Sequence, residues 1–364
     1  MASENIIPVI DISPFASSPL STSPSAEQIE VANKIYEAFH SSGFIQIIGH
    51  GISEDLQNKL LQSTEQFFAR PEEEKMVLHV KNGGVAWRGY MPYGGEGTRG
   101  RVDQKEGIYF GPEHPDDHPQ IGLPLHGKNQ FPDATVPEMR PAVLQYIKEV
   151  SEMGKTISDA LSLALGMDGH FIRDNYLQAE PLVFFRAWKY KRVEDDSEGG
   201  VWGIGEHSDF GYLTILKQCS PGLQILSPKG EWANVPVIEN AFICNVGDML
   251  DMMSGGRLRS TFHRVLPPAP GTHRISFPLF FDFSWTAKMA PLPLSHLPPL
   301  SPGEEAQAKE RWEKTTFTGV NGEWWQYLAK KVKKVFPELV LPDFEANVKS
   351  SSRFAIVVPT PAPV

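Results

Sequence analysis

A histidine and an aspartate two residues apart, His207 and Asp209, stand near the head of the strand-like run "GEHSDFGYLTIL". Alternation along a strand sends residues i and i+2 to one face, so the pair offers an imidazole and a carboxylate to a common point. The next histidine of this β-rich region is His263, in "STFHRV", after several further strand-like runs, enough chain to return beside the starting strand. Two imidazoles and a carboxylate converging from strands make the facial triad of a non-haem Fe(II) site, which leaves the opposite face of the octahedron open. With no thiolate in the set, it does not read as a structural zinc site. Further on, in "HRISFPLFF", Arg274 and Ser276 again share one strand face. A guanidinium facing a core costs several kcal/mol unless an anion pairs with it. Its fork, beside a hydroxyl, suits a carboxylate held bidentately, the alternative being an internal salt bridge.

The elements that must position these groups are short strands. Between Leu182 and Phe283 the runs "LVFFRAWKY", "GYLTILKQ", "GLQILSP", "EWANVPV", "AFICNVGDML", "STFHRVLP" and "RISFPLFFDF" follow one another with turn signals between them. That texture predicts a mostly β core, a double-stranded β-helix or jelly roll, with flanking helices. The expected division is residues 1–135 as an N-terminal helical and substrate-loop region of the same fold, 136–180 as a long supporting helix, 181–285 as the jelly-roll catalytic core and 286–364 as a C-terminal helical extension. Ser25 and Gln28 form a capping box before a helix carrying Ile29, Ala32, Ile35 and Phe39; Ser53 caps a second helix with Leu56, Leu60 and Phe67. The glycine-rich stretch "NGGVAWRGYMPYGGEGTRGR" predicts a surface loop able to approach a ligand. A long helix from about Pro137 carries Leu144, Ile147, Val150, Ile157 and Leu161, with Gly166 at its C-terminal end. The tail closes with an amphipathic helix through Trp325, Leu328, Val332 and Val335, and the run Lys330-Lys331-Val332-Lys333-Lys334 reads as its solvated face.

Composition narrows the classes. The chain has 364 residues, 41% hydrophobic and 21% charged, which fits a globular protein with a large core. A net charge of −10 without a basic stripe argues against nucleic acid as a partner. No run is long enough for a membrane span and the start lacks a secretory pattern, so a cytoplasmic protein is expected. Its two cysteines, Cys219 and Cys244, read as free thiols rather than a disulfide. Nothing requires more than a monomer.

The order H-x-D, H, R-x-S resembles the 2-oxoglutarate/Fe(II)-dependent oxygenases, specifically the isopenicillin N synthase-like branch. The resemblance extends over most of the chain, through "IPVIDISPF", "GFIQIIGHGIS", "FFARPEEEK", "RGY" at 88–90, "GLQI", "NVGDML" and "STFHRV". It implies His207, Asp209 and His263 as iron ligands and Arg274 and Ser276 as the holders of the distal carboxylate of 2-oxoglutarate. Tyr190, in "AWKYK", falls where many relatives place a tyrosine touching the cosubstrate; Trp188 and Lys191 replace the usual asparagine and proline, so a core tyrosine is the other reading. It further implies O2 as co-reactant, succinate and CO2 as products, and C–H oxidation of a small molecule, with secondary metabolism a usual setting.

For the substrate the candidates are Arg186, on the strand face of Tyr190, with Arg88, Tyr90 and Tyr93 in the glycine-rich stretch, Glu106 in "DQKEGIYFG", and Phe281 or Phe283 as an apolar wall. Arg186 has a second possible use, as the partner of Glu106. If both face the substrate, a small polar molecule such as an amino acid or other carboxylate is expected. His50 and His273 read as structural or solvent-facing. Two other functions stay open: an oxidase of the same branch that does not use 2-oxoglutarate, and a noncatalytic ligand-binding protein on the same scaffold.

Overall fold

The computed structural model describes residues 7–98, 101–178, 180–192, 202–335 and 354–356. Two sheets build the core. The larger has eight strands, in spatial order Val9–Asp11, Phe44–Ile48, Phe242–Val246, Leu213–Gln218, His273–Asp282, Leu182–Lys191, Lys105–Phe110 and Gly89–Met91. All its pairings are antiparallel except that of Val9–Asp11 with Phe44–Ile48. The smaller has four, Trp232–Asn234, Leu223–Leu226, His263–Val265 and Ile204–His207. Side chains from both sheets line one interior pocket, the jelly-roll arrangement that the succession of short runs predicts.

Strand phase decides what faces that pocket. On His273–Asp282, residues Arg274, Ser276, Pro278 and Phe280 line it. Phe281 and Phe283 therefore point the other way, and the expectation that they wall the pocket is corrected: Phe280 is the wall. The Phe281 ring instead lies on the long helix Met139–Ala164, at Gly154, where an added Cβ would meet it at 2.8 Å. Phe283 is enclosed by Tyr212 and Trp324, with ring centroids 4.7 and 5.3 Å away.

The helices start where their caps are. Ser25 and Gln28 bond reciprocally ahead of Ala26–Ser41, and the Ser53 hydroxyl accepts the Leu56 N–H ahead of Glu54–Phe68. Both pack on Met139–Ala164, which is followed by Gly166 at φ +69°. The C-terminal helix Trp324–Val335 buries Trp324, Leu328 and Val332, while Trp325 stacks on Trp285; the side chain of Val335 lies outside the described residues. No helix among the described residues is long and apolar enough to cross a membrane.

One expectation about the N-terminal third changes. The glycine-rich stretch holds buried structure rather than a surface loop: Gly89–Met91 is an edge strand of the large sheet and Glu96–Thr98 another short strand. Glycines at positive φ, Gly84, Gly89 and Gly94, make the sharp changes of direction there, and they also erase the alternation that marks a strand. Strands from residues before 135 occupy both ends of the large sheet, so the N-terminal region and the jelly roll share one sheet.

Candidate metal centre and cosubstrate pocket

His207 and His263 are direct partners across two antiparallel strands of the small sheet. This register brings their ring centroids to 4.2 Å. Asp209, two residues beyond His207, sets Oδ1 at 3.8 Å from His207 Nε2 and 3.7 Å from His263 Nε2. All three residues are buried, and their ligating atoms lie within 4.8 Å of one another.

The atoms behind the triad aim it. His207 Nδ1 donates to the Gly205 carbonyl at 2.8 Å and His263 Nδ1 to the Thr261 carbonyl at 3.2 Å, which turns both Nε2 lone pairs inward. Asp209 Oδ2 accepts from Thr214 Oγ1 at 2.6 Å and Asn245 Nδ2 at 2.7 Å, leaving Oδ1 for the common point. Burial, reinforced by the neighbouring His263, pushes His207 down to about 3. Burial alone would raise Asp209, but His263, His207, Asn245 and Thr214 together hold it below the usual carboxylate range. Neutral imidazole and ionised carboxylate are the forms that ligate a metal. Two nitrogens and one oxygen on one side of a point, without sulfur, fit Fe(II).

The triad shares one pocket with Arg274, Ser276, Tyr190 and Trp188. Arg274 is 1% exposed. Its Nε donates to the Ser220 carbonyl at 3.3 Å and its Cζ lies 4.9 Å from the Tyr190 ring centroid. Nη1 and Nη2 have no hydrogen-bond partner among the described residues. Two orphaned donors on one buried cation leave an unmet demand for a bidentate anion, and a carboxylate meets it. The Ser276 hydroxyl lies 3.5 Å from the Tyr190 hydroxyl, so the candidate cosubstrate residues adjoin one another. The residues present therefore fit both the iron and the far carboxylate of 2-oxoglutarate.

Most of the expected substrate residues lie elsewhere. Arg88 is buried and bonds the carbonyls of Pro112, Gly127 and Leu125. Glu106 accepts from Lys75 at 2.6 Å and the Tyr90 hydroxyl at 2.8 Å. Lys105 and Glu106 pair with Tyr190 and Lys189 respectively, and Tyr190 is the one that lines the pocket, so Glu106 and Tyr90 belong to the opposite face of the sheet. Tyr93 bonds Gln104 and is 36% exposed. Arg186 does share the inward face of Trp188 and Tyr190, but its anionic neighbour is Glu96, at 3.4 Å, rather than Glu106. His50 bonds the Asn240 carbonyl and the Ile52 N–H, and His273 is exposed, as expected.

Sequence reading missed three groups. Asn245 and Thr214, which hold Asp209, sit inside apolar runs; their polarity there is the signal that was available. Lys331, placed on a solvated face, lies partly buried over Phe210. A second histidine–carboxylate group, His114, His118 and Glu180, is also compact enough to raise the question of a metal.

Two family models match the chain: the non-haem dioxygenase N-terminal region over residues 7–134 and the 2OG-Fe(II) oxygenase superfamily over residues 172–283. A probable iron/ascorbate oxidoreductase of Dictyostelium discoideum is 34% identical over 358 residues, covering 92% of this chain and 95% of the relative. A homoarginine-6-hydroxylase of Arabidopsis thaliana is 34% identical over 299 residues, covering 79% and 80%. Among solved structures, a Neurospora crassa protein crystallised in complex with alpha-KG and thymine shares the fold, with a TM-score of 0.70 at 23% identity over 92% of this chain and 99% of that one. The chain belongs to the 2-oxoglutarate/Fe(II)-dependent oxygenases, and is a dioxygenase that uses Fe(II), 2-oxoglutarate and O2.

Proposed function

We propose that His207, Asp209 and His263 are the iron ligands, that Arg274, Ser276 and Tyr190 hold 2-oxoglutarate, and that the substrate is a small molecule bearing a carboxylate. One observation carries the reading: buried Arg274, whose two Nη atoms have no hydrogen-bond partner among the described residues, lines the pocket that the metal triad shares. When bound, iron and cosubstrate supply the oxidation itself, with 2-oxoglutarate decarboxylated to succinate and CO2 as a substrate C–H bond is oxidised.

The chain's part is placement. Thr214 and Asn245 fix which Asp209 oxygen faces the metal, and the Gly205 and Thr261 carbonyls fix both imidazoles. The Arg274 fork sets the distance at which the cosubstrate's other end reaches the triad. Phe280 and Trp188 line the pocket with apolar surface and restrict water around the reacting centre. A carboxylate on the substrate is supported by Arg186, a second cation on the same sheet face, and by the name of the homoarginine hydroxylase, whose substrate is an amino acid. Two unbridged cysteines suit a cytoplasmic setting, and a single chain carries every residue invoked.

The test is an anaerobic visible spectrum of the Fe(II) protein titrated with 2-oxoglutarate. A charge-transfer band is expected in wild type, absent in His207→Ala, and reached only at much higher cosubstrate concentration in Arg274→Ala. An unchanged titration in Arg274→Ala overturns the cosubstrate assignment. Iron binding without a band in wild type overturns the assignment of this pocket as the 2-oxoglutarate site.

A further inference from the structure

Strand pairing orders the pocket from one end to the other. The inward residues of His273–Asp282 run Arg274, Ser276, Pro278, Phe280. Phe280 pairs with Thr214, whose hydroxyl holds Asp209, so this end belongs to the metal triad. Arg274, at the other end, pairs with Tyr190. A diacid reaching from the triad to the Arg274 fork passes the next rung inward, where Ser276 pairs with Trp188. Ser276 offers a small hydroxyl there, and Trp188 the bulk of a buried indole.

That indole is wedged in place. Strand Lys105–Phe110 pairs Gly107 with Trp188, and a Cβ on the glycine would meet Trp188 Cδ1 at 2.7 Å and Nε1 at 3.2 Å. Only the missing side chain lets the ring lie so close to the neighbouring backbone. Lys105 sets its Nζ 4.8 Å from the centroid of the same ring and Arg186 its Cζ 5.4 Å from it, while the Tyr190 ring meets it edge-on at 6.3 Å. Both cations are tied to Glu96, at 3.1 and 3.4 Å, and Lys105 also to Asp103, at 2.7 Å. Trp188 lines the pocket of the triad, whereas Lys105, Glu96 and Arg186 do not. The ring thus stands between a buried ionic cluster, fixed by its own pairing, and the path of the cosubstrate.

We infer that Trp188 sets the length of 2-oxo diacid that the pocket accepts, by filling the space into which a longer chain would have to bend. The inference rests on the proposed iron and cosubstrate assignments and names the residue that makes them selective. With its ends fixed at the triad and at Arg274, a diacid longer by one methylene must bow sideways. Packing that is already full resists the added volume. Trp188 is the largest side chain at the Ser276 rung, and its backing by Gly107 and Lys105 leaves the ring no room to yield.

The experiment titrates the anaerobic Fe(II) protein with 2-oxoglutarate and with 2-oxoadipate, its homologue with one more methylene, reading the charge-transfer band and, separately, the heat of binding. Wild type should bind 2-oxoglutarate about tenfold or more tightly than 2-oxoadipate. Trp188→Ala should bind 2-oxoadipate more tightly than wild type does, narrowing the ratio to about threefold or less, and Trp188→Phe should fall between the two. A gain in affinity for the longer acid is an outcome that general damage to the fold does not produce. If Trp188→Ala fails to retain iron, Trp188→Phe decides alone. Equal affinities in wild type, or a ratio that the substitutions leave unchanged, overturns the inference while the cosubstrate site stands. Absence of 2-oxoglutarate binding in wild type overturns the cosubstrate assignment, and this inference with it.

Discussion

His207, Asp209 and His263 bring their Nε2 and Oδ1 atoms to 3.7 and 3.8 Å, and His114, His118 and Glu180 come closer still, with Nε2-to-oxygen distances of 2.8 and 2.9 Å. The difference between the groups is at the far nitrogen of each ring. In the first, both Nδ1 atoms face backbone carbonyls, so Nδ1 carries the proton and Nε2 offers a lone pair. In the second, His118 Nδ1 accepts the Gln120 N–H at 3.2 Å. His114 Nδ1 accepts the Gly127 N–H at 3.1 Å and faces Arg88 Nη2 at 3.4 Å, donors that outweigh the Gly127 carbonyl at 3.3 Å. The protons of these two rings then sit on Nε2 and are donated to the two oxygens of Glu180. Two imidazoles and a carboxylate make a candidate metal triad in one place and a hydrogen-bond clasp in the other, and the groups that meet each Nδ1 set the difference.

The largest break of that contrast is in iron itself. After anaerobic reconstitution, His207→Ala and Asp209→Ala should fall from about one iron per chain to near none, while His114→Ala keeps its iron; metal analysis decides, and iron loss in His114→Ala would erase the distinction. Next comes the support of Asp209. Asn245→Ala leaves the triad complete but frees one carboxylate oxygen to swing, and a chelator competition should show iron affinity about 10- to 100-fold weaker; unchanged affinity would mean that Thr214 alone suffices.

On the clasp the effect moves from metal to stability. Glu180→Gln keeps one acceptor and turns a donor toward the second histidine, which should cost about 1 kcal/mol in urea unfolding at neutral pH once its part exposure is allowed for, with iron content unaltered. The smallest effect is a pH slope. Burial pushes His126, whose ring is 4.9 Å from that of His114, down to about 4 from an ordinary 6.5. Between those values the unfolded chain holds a proton that the native chain refuses, so this contribution is whole above pH 6.5 and lost as pH falls toward 4. His126→Gln should show a shallower loss of unfolding free energy over that window than wild type; parallel curves would show that His126 is not the group responsible.

What could be read in the sequence was what a single strand can encode. His207 and Asp209 are legible because alternation alone puts them on one face, and Arg274 and Ser276 for the same reason. Phe281 and Phe283 were assigned to the wrong face because "FPLFFDF" is apolar on both, as a strand packed on a helix and a pocket at once must be. Gly89–Met91 was hidden by the glycines that turn the chain into it. Lys331 was misread because a basic run at helical spacing looks the same whether or not one member folds inward. The state of the His114 and His118 rings was illegible for a deeper reason: it depends on which N–H groups the loops at 118–127 turn toward them.

The in-register pairing of His207 with His263 joins two strands far apart in the chain and next to each other in the small sheet. A cation held by both is a rivet through that pairing, binding the folded chain and not the unfolded one. Such a ligand adds about 2.7 kcal/mol at a hundred times its dissociation constant, and withdrawing it returns the chain to a population that opens more often and is degraded sooner. The lifetime of this protein in a cell should therefore follow iron supply, so that scarcity removes the apoprotein itself as well as its activity.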